Sequence, residues 1–545
     1  MAGGLLNIIS SGNANVILTG NPTKTFFKVT YSKYTNFGLQ KFRLDFEGMR
    51  DLRVSEPSKF TFKIKRYADL LMDTYLVVSL PDIWSPMWQP SEQTGGQWSP
   101  YDFKWIENLG SQLISEIEIL CGAVSLQKYT GQYLTAMVER DFAGQKKALF
   151  NEMSGNTAEF NNPANWAFRT MTAPYKTHTY PTAKYTPPVP NAPVGTIPGA
   201  EPSIRGRNIY IPLNTWFGLD CRCAFPLVAL QYNDLVINVT VRPIQELFQV
   251  RDVFNPADNF PYIQPNFNLN QFQMYRFLQT PPSDDLSSIN YENQTLSWNA
   301  DIHLMATYCF LSQDEQEIFA AQDQIYLVKD IFEYDFLNVV GSSRINLQSS
   351  SGMVANWMWY LQRNDAFTRN EWSNYTNWPY NYNIPSNIVP DQASQMYITG
   401  PYSSYNQREI LETMALILSG DYRENTLPAG IFDYVEKYTR THSFAKSGLY
   451  CYNFCLNTNP LEYQPSGAIN LSRFKNVEWE FTTYLPPFDT AGSNVDITCL
   501  EGNPISVTSK PGWALYQYNY NIHIFEERYN VLSFIGGNCG LLYAR

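Results

Sequence analysis

The chain has 545 residues, of which 50 are acidic and 39 basic, so its formal net charge at pH 7 is −11. This length favours two or more domains, and the acidic balance argues against a protein that coats nucleic acid across its whole surface. Aromatic residues reach 15% and charged residues only 16%, with 34 Pro and 30 Gly, a composition that predicts an all-β fold with long loops.

The beginning of the chain differs in charge from the rest. Residues 1–44 hold five basic side chains and no acidic one, so the remainder, with 34 bases against 50 acids, carries −16. We predict an N-terminal arm over residues 1–30. It is either a solvated basic arm or one that faces an acidic or membranous layer. Residues 1–6 (MAGGLL) lack the basic region and the length of a secretory signal, so we expect no signal peptide.

Strand patterns recur through the first half. Apolar and polar residues alternate with period two at 60–65, 115–119 and 235–242, while residues 74–80 are almost continuously apolar, as in a strand buried on both faces. A short helix is predicted near 128–142. These elements predict a first β domain over residues 31–250.

The second half has the same character. We interpret the Pro- and Asn-rich tract 251–295 as a linker and residues 296–545 as a second β domain. A capping-box pattern at 312–315 (SQDE) predicts a helix start, and another helix is predicted within 407–419. Alternation at 477–482 and 516–524 predicts strands. No internal repeat is visible by direct residue matching.

Three tracts are predicted to be long loops. Residues 84–105 are rich in Trp, 173–206 in Pro, and 363–408 in Asn, Tyr, Trp and Pro. Loops of this length inside compact domains are usually functional or face a partner. We therefore expect these tracts to lie at contacts between chains or on an outer surface.

The sequence offers no catalytic constellation. Carboxylates pair at Glu478/Glu480 and Asp284/Asp285. The first pair lies on the polar face of a predicted strand, and a solvated strand face is its favoured explanation. The four His residues have no metal-binding spacing, and no phosphate-binding loop occurs. We predict no catalytic residue, no metal site, no cofactor and no enzyme activity.

Cysteine and asparagine offer two kinds of modification site. The eight Cys residues lack zinc-ribbon spacing, and we favour the prediction that they are free thiols. Cys221 and Cys223 are predicted to be neighbours on one strand face. Disulfides stay possible at this stage. N-glycosylation sequons occur at Asn374, Asn293, Asn470 and Asn238. Asn374 ranks first among them because its loop is expected to be exposed.

Many short strands with turn signals predict β-sandwiches, including jelly rolls, and composition cannot choose between these topologies. Two functions compete at this level. One is a purely structural protein, in keeping with the lack of a catalytic constellation. The other is a carbohydrate-binding or carbohydrate-active β-sandwich protein that uses exposed Trp and Tyr as stacking platforms.

Ordered motifs over more than 500 residues resemble the major capsid proteins of nucleocytoplasmic large DNA viruses, the double jelly-roll capsid family. The motifs are LTGNP at 18–22, TFFKV at 25–29, YTNF at 34–37, IPL at 211–213, WF at 216–217, FPLVALQY at 225–232, QRND at 362–365, RNEWSNYTNW at 369–378, QPSGAINLSRF at 464–474, NYN at 519–521, NVL at 530–532 and GG at 536–537.

The resemblance implies more than composition does. It implies two tandem eight-stranded jelly rolls, and a homotrimer whose six jelly rolls form a pseudo-hexagonal capsomer that packs against neighbouring capsomers in an icosahedral shell. It places the arm at the base of the capsomer, where it would meet minor capsid proteins or an inner membrane. The expected location is the virion capsid, assembled in the host cytoplasm, with no sequence-specific nucleic-acid binding.

Overall fold

The computed structural model describes residues 16–48, 51–88, 91–96, 99–163, 202–256, 260–281, 291–380, 407–486, 495–500, 503–509 and 518–543. The strands up to residue 311 are β1 (Phe37–Leu44), β2 (Ser58–Lys63), β3 (Leu70–Ser79), β4 (Met87–Trp88), β5 (Ser99–Pro100), β6 (Lys104–Trp105), β7 (Ile114–Cys121), β8 (Val124–Tyr129), β9 (Asn208–Pro212), β10 (Phe225–Pro226), β11 (Leu235–Val241), β12 (Phe248–Arg251), β13 (Tyr262–Ile263) and β14 (Ile302–Leu311). The helices in this part are α1 (Val16–Thr19), α2 (Leu109–Leu113), α3 (Gly131–Asp141), α4 (Gly144–Ser154), α5 (Ala158–Asn161) and α6 (Trp216–Leu219).

The remaining strands are β15 (Gln324–Val339), β16 (Ser342–Asn346), β17 (Met353–Arg363), β18 (Leu411–Leu418), β19 (Asp421–Pro428), β20 (Leu449–Asn453), β21 (Ile469–Asn470), β22 (Val477–Thr483), β23 (Val495–Leu500), β24 (Asn503–Ser509), β25 (Tyr520–Ile535) and β26 (Asn538–Leu541). The α-helices here are α7 (Gln313–Ala321) and α8 (Glu436–Arg440), and the π-helical turn Ile431–Val435 leads directly into α8.

The two halves have the same strand order. The main sheets are β1-β14-β3-β10 and β2-β11-β7-β8 in the first half, and β15-β25-β17-β20 and β16-β22-β18-β19 in the second. If the eight strands of each half are counted along the chain, both halves read 1-8-3-6 and 2-7-4-5. Two facing four-stranded antiparallel sheets of this order form a jelly roll. The chain therefore contains two tandem jelly rolls, a repeat that residue matching does not detect.

The last strand of the first jelly roll, β14, lies within residues 296–545, which were predicted from the sequence to form the second β domain. β14 lies between β1 and β3, with Leu39 opposite Cys309 on one side and His303 opposite Val77 on the other. Residues 251–295, interpreted as a linker, therefore connect the seventh and eighth strands of one jelly roll. Several of their side chains, among them Val253 and Phe277, are fully buried in its core. The connection between the two jelly rolls is instead α7.

The alternating segments form strands with one buried face, as predicted. Phe60 and Phe62 of β2 are buried. The alternate apolar residues of the other three strands are buried as well: Ile117 and Ile119 of β7, Leu235, Ile237, Val239 and Val241 of β11, and Val477, Trp479 and Phe481 of β22. In the second jelly roll Trp479 lies against Trp357 and Trp359, with ring centroids 5.3 and 4.9 Å apart. Edge-to-face aromatic packing of this kind fills the space between two sheets without voids.

Three local predictions are settled by the structure. The helix near 128–142 is α3, which Thr130 caps by accepting a hydrogen bond from the Tyr133 amide. The helix after Ser312 forms, but no capping bond from the Ser312 side chain accompanies it. The prediction of a helix within 407–419 is wrong, because residues 411–418 form β18, which lies between β19 and β22.

Candidate assembly surfaces and the contact between the two jelly rolls

Residues 16–36, which comprise the described part of the N-terminal arm (16–30) and the segment that follows it, present their side chains to solvent. Phe27 is 98% exposed and Tyr31 88%, and every residue from 16 to 36 is exposed. This segment therefore does not fill a groove on its own subunit. It leads into β1, which pairs with β14 along one edge and is the first strand of its sheet. An exposed edge strand beside an apolar arm is a surface suited to contact with another chain.

A second exposed apolar surface lies on the second jelly roll. Tyr434, Val435, Tyr438 and Phe444, which we call the apolar patch, lie on and after the turn that leads into α8. Tyr438 and Phe444 are each 91% exposed. They line a cleft of about 610 Å³. An apolar cluster of this size on a surface is typical of a protein contact.

The first described part of tract 363–408 is buried between the jelly rolls and does not project outward. The Asn370 amide donates to the backbone carbonyls of Gln245 and Phe248 at 2.7 and 2.8 Å. The Trp372 indole donates to the Glu246 carbonyl at 3.0 Å. For residues 363–380 the expectation of a partner-facing loop is therefore wrong, because they fasten the second jelly roll to the first. Residues 381–406 lie outside the described residues, as does most of tract 173–206.

The same tract contains a buried ionic cluster. Asp365 pairs with Arg363 at 2.6 Å and with Arg369 at 3.0 Å, and all three side chains are almost fully buried. Burial opposes ionisation of Asp365, but the two guanidinium groups outweigh it and lower the pKa of this carboxyl below its ordinary value. The Arg363 guanidinium also stacks on Tyr518, 3.6 Å from the ring centroid.

A second charge network crosses the contact between the jelly rolls, which we call the seam. Arg140 at the end of α3 donates to Asp141 at 2.6 Å, to Asn356 of β17 at 2.8 Å and to Glu527 of β25 at 2.8 Å. Lys329 lies 3.8 Å from Glu527 on its other side. The network thus pairs one buried cation, Arg140, and one half-buried cation, Lys329, with two buried carboxylates taken from both jelly rolls.

The pKa values in the seam follow from this pairing. Burial alone would raise the pKa of Glu527, but Arg140, Lys329 and hydrogen bonds from Asn356 and Tyr133 lower it to about 2. Burial also dominates at Asp141, where Arg140 offsets it only in part, so the pKa of Asp141 is raised. Separating the two jelly rolls at this point would leave a buried charge without its partner, which is costly.

The candidate catalytic groups have structural partners. Glu478 forms an ion pair with Arg344, and Glu480 accepts a hydrogen bond from Tyr422 at 3.1 Å. His442 contacts Asn457 at 2.7 Å. Asp284, Asp285 and His178 lie outside the described residues. Among the residues that the structure describes, no cluster of His, Cys, Asp and Glu could hold a metal ion. In the same ranges no helix is long and apolar enough to cross a membrane.

The sequons divide into two buried and two exposed sites. Asn374 is only 3% exposed and donates to the carbonyl of Trp378 at 2.9 Å, so the exposure expected for its loop is wrong. Asn238 is 7% exposed within β11. Asn293 and Asn470 are exposed. Burial, which the sequence did not reveal, therefore removes the reason for placing Asn374 first among the sequons.

The following cysteines are free thiols: Cys121, Cys221, Cys223, Cys309, Cys451, Cys455 and Cys539. Of these, Cys221 is exposed. Cys221 and Cys223 lie on a 3₁₀ turn, so the prediction that they share a strand face is wrong. The Asp220 side chain caps this turn by accepting from the Arg222 amide at 2.8 Å.

Two family models match the chain. The N-terminal domain of major capsid proteins matches residues 25–279, and the major capsid protein of large eukaryotic DNA viruses matches residues 315–540. The gap between the two matches contains β14. The order of the two matches along the chain is that of the two jelly rolls.

Curated relatives extend the similarity over the whole chain. The major capsid protein of Phaeocystis pouchetii virus is 23% identical over 577 residues, covering 100% of both chains. That of Paramecium bursaria Chlorella virus 1 is 23% identical over 558 residues, again with 100% of both chains covered.

Solved structures have the same fold. The PBCV-1 capsid protein superimposes with a TM-score of 0.59 at 18% identity, covering 96% of this chain and 100% of that one. The Faustovirus major capsid protein gives 0.57 at 12% identity, with 97% and 96% covered. Both are double jelly-roll proteins, so the predicted all-β double jelly-roll fold is confirmed.

Proposed function

Because the chain belongs to the major capsid proteins of large eukaryotic DNA viruses, we propose that three copies associate into a capsomer and that these capsomers tile an icosahedral shell. The matched families and the relatives described above are capsid proteins. The alternative of a carbohydrate-binding or carbohydrate-active protein has no support among them.

The observation that carries this proposal is the repeated strand order in one chain. Two jelly rolls of identical topology make each subunit nearly two-fold repetitive. Three such subunits around an axis supply six similar units and hence a pseudo-hexagonal outline, which packs against copies of itself in a flat layer. The charged seam supports the proposal, because a block that tiles must keep a fixed angle between its two halves.

Light scattering on the purified chain, combined with negative-stain imaging, tests this assembly. We expect a particle of three times the chain mass with a six-lobed outline. A stable monomer at micromolar concentration, in buffers of several ionic strengths, would contradict the proposal.

The arm is proposed to face the interior of the shell, where it contacts minor capsid proteins or an inner membrane. Its support is chemical: residues 16–36 expose large apolar side chains and carry Lys24, Lys28 and Lys33 without an acid. A surface that combines apolar and positive groups suits an acidic protein or an anionic membrane. The rest of the chain is acidic, so the arm is the exception in its charge.

Two variants separate the arm's role from trimer formation. Truncation of residues 1–20 and the double change Lys24→Glu/Lys28→Glu should both leave isolated trimers intact but reduce shell assembly. Lys59→Glu/Lys475→Glu changes the same charge at two exposed positions outside the arm and serves as the control. Trimers that dissociate on truncation would show that the arm joins subunits instead.

We propose that the protein acts structurally, without catalysis, in the virion capsid, and that it assembles in the host cytoplasm. The partners of Glu478 and Glu480 described above support a structural role for these carboxylates. Screening against glycosides, esters and nucleotides should give no turnover, and turnover abolished by Glu478→Gln would refute this. Fractionation of infected cells should recover assembling capsomers in the cytoplasmic fraction.

A further inference from the structure

Two buried cysteines from different jelly rolls meet at the seam. Cys121 is the last residue of β7 and is fully buried, while Cys539 lies on β26 and is 6% exposed. Both side chains belong to one hydrophobic cluster that continues from the first jelly roll into the second. The two positions are 418 residues apart along the chain, so only the docking of the domains brings them together.

The backbone around the two cysteines fixes this approach. The Gly537 carbonyl, at the turn before β26, accepts from the Gln231 amide at 2.9 Å. The Asn233 side chain reaches Asn538 at 3.4 Å. The next residues enter β11, where Leu235 pairs with Cys121. The loop before β11 therefore holds the β25–β26 hairpin of the second jelly roll against the end of β7.

The two thiols are close enough to share a hydrogen bond. A hydrogen bond from the Cys539 thiol lowers the pKa of Cys121, with burial opposing this effect and Arg66 assisting it. The same hydrogen bond, together with burial, raises the pKa of Cys539. The ionised thiolate is the nucleophile in thiol–disulfide exchange, and the lowered pKa of Cys121 favours it as the attacking thiol.

We propose that Cys121 and Cys539 are a disulfide-forming pair that joins the two jelly rolls covalently when the protein meets a small disulfide oxidant. The Cys121 thiolate attacks one sulfur of the oxidant, forms a mixed disulfide and releases the oxidant's other half as a thiolate. Cys539 then loses its proton to solvent and attacks the Cys121 sulfur, which releases the second half. Two protein thiols are oxidised to one disulfide, and one oxidant disulfide is reduced to two thiols.

The compartments that a capsid passes through suit such a pair. Thiols stay reduced in the cytosol, whereas disulfides persist on extracellular particles. In that context, which rests on the proposed function, the pair would be reduced during assembly and oxidised afterwards. Formation of the bond itself depends only on the geometry of the seam, so its test is independent of the capsid role.

The experiment uses the full chain and hydroxyethyl disulfide as the oxidant. After oxidation the protein is treated with acid, unfolded and alkylated, and its free thiols are counted. The eight cysteines of the reduced chain should show a loss of two free thiols. A proteolytic digest kept non-reducing should yield one linked peptide that contains Cys121 and Cys539. The oxidised protein should also unfold at higher urea concentration than the reduced protein.

Variants make the result specific. Cys121→Ser and Cys539→Ser should each abolish the linked peptide and the shift in urea midpoint, while Cys309→Ser, another buried thiol, should keep both. Repeating the oxidation in urea just below the unfolding transition gives the oxidant access to the buried pair. If Cys121 and Cys539 remain alkylatable under both conditions, or link to other cysteines, the proposal is wrong.

Discussion

Replacing Arg140 with Met should destabilise the protein more than any exposed charge change. The guanidinium is fully buried and donates to Asp141, Asn356 and Glu527. Met occupies part of the same volume but removes the cation that pairs with Asp141, and of the two cations that pair with Glu527 it leaves only the more distant one, Lys329 at 3.8 Å. Removing one partner of a buried ion pair costs about 3–5 kcal/mol, because the remaining charge stays desolvated.

The loss of stability in Arg140→Met is also predicted to change with pH. In the native protein the pKa of Glu527 is about 2, below the ordinary value of roughly 4.3 for an unfolded Glu. Glu527 therefore contributes stability above pH ~4.3, and this contribution is lost as pH falls toward its folded pKa. Without Arg140, burial raises the pKa of Glu527. The loss of unfolding free energy in Arg140→Met, relative to the unchanged protein, should thus be largest at neutral pH. It should shrink as the pH falls and Glu527 becomes protonated.

Urea unfolding followed by tryptophan fluorescence, at several pH values, measures this effect. Because large chains often unfold in more than one step, hydrogen exchange in α3 and β25 should accompany it and show the loss at the seam. Arg53→Met is the control, since Arg53 and Glu56 form an ion pair with 61% and 68% exposed side chains, worth at most about 1 kcal/mol. Equal losses in both variants, or a deficit in Arg140→Met that is independent of pH, would refute the reasoning.

Three further outcomes are expected. Trp479→Ala should cost about 3–5 kcal/mol by opening a cavity between two buried Trp rings, whereas Trp479→Phe should cost less; an unchanged urea midpoint for Trp479→Ala would contradict the packing. Asn370→Ala should lose three side-chain hydrogen bonds to the first jelly roll, one accepted from Gln264 and two donated to the carbonyls of Gln245 and Phe248, at a cost of about 1–3 kcal/mol, and it should speed protease cleavage within 364–380, while Asn425→Ala, at an exposed position, serves as the control. If N-glycans are present, mass spectrometry should place them at Asn293 or Asn470, and a glycan on Asn374 in folded protein would contradict its burial.

Local sequence patterns predicted the strands well. Period-two alternation located β2, β7, β11 and β22 because one face of each is buried and the other is not. The same reasoning failed at β18. Its residues LETMALIL contain good helix formers spaced to suit a helix, yet six of the eight are buried between neighbouring strands. Tertiary pairing outweighed intrinsic propensity there.

The candidate surfaces were predicted in part. The basic, apolar arm was visible from composition, since charge asymmetry needs no structure to be counted. The burial of residues 363–380 was not visible, because Asn, Trp and Arg are equally suited to an exposed interface and to a buried polar contact. Only the hydrogen bonds to the carbonyls of Gln245, Glu246 and Phe248 show that this tract forms a buried polar contact.

By itself the sequence determined the all-β class, the acid-free arm and, through its ordered motifs, the capsid family. The tertiary structure alone decided that β14 closes the first jelly roll, that α7 joins the two, and that Arg140 and Glu527 meet across the seam. The physical reason is the range of the interactions. Alternation and charge are properties of neighbouring residues, whereas strand order and the pairing of buried charges join residues hundreds of positions apart. A single strand can pair with any of several others, and its partners are decided only when the whole sheet is assembled.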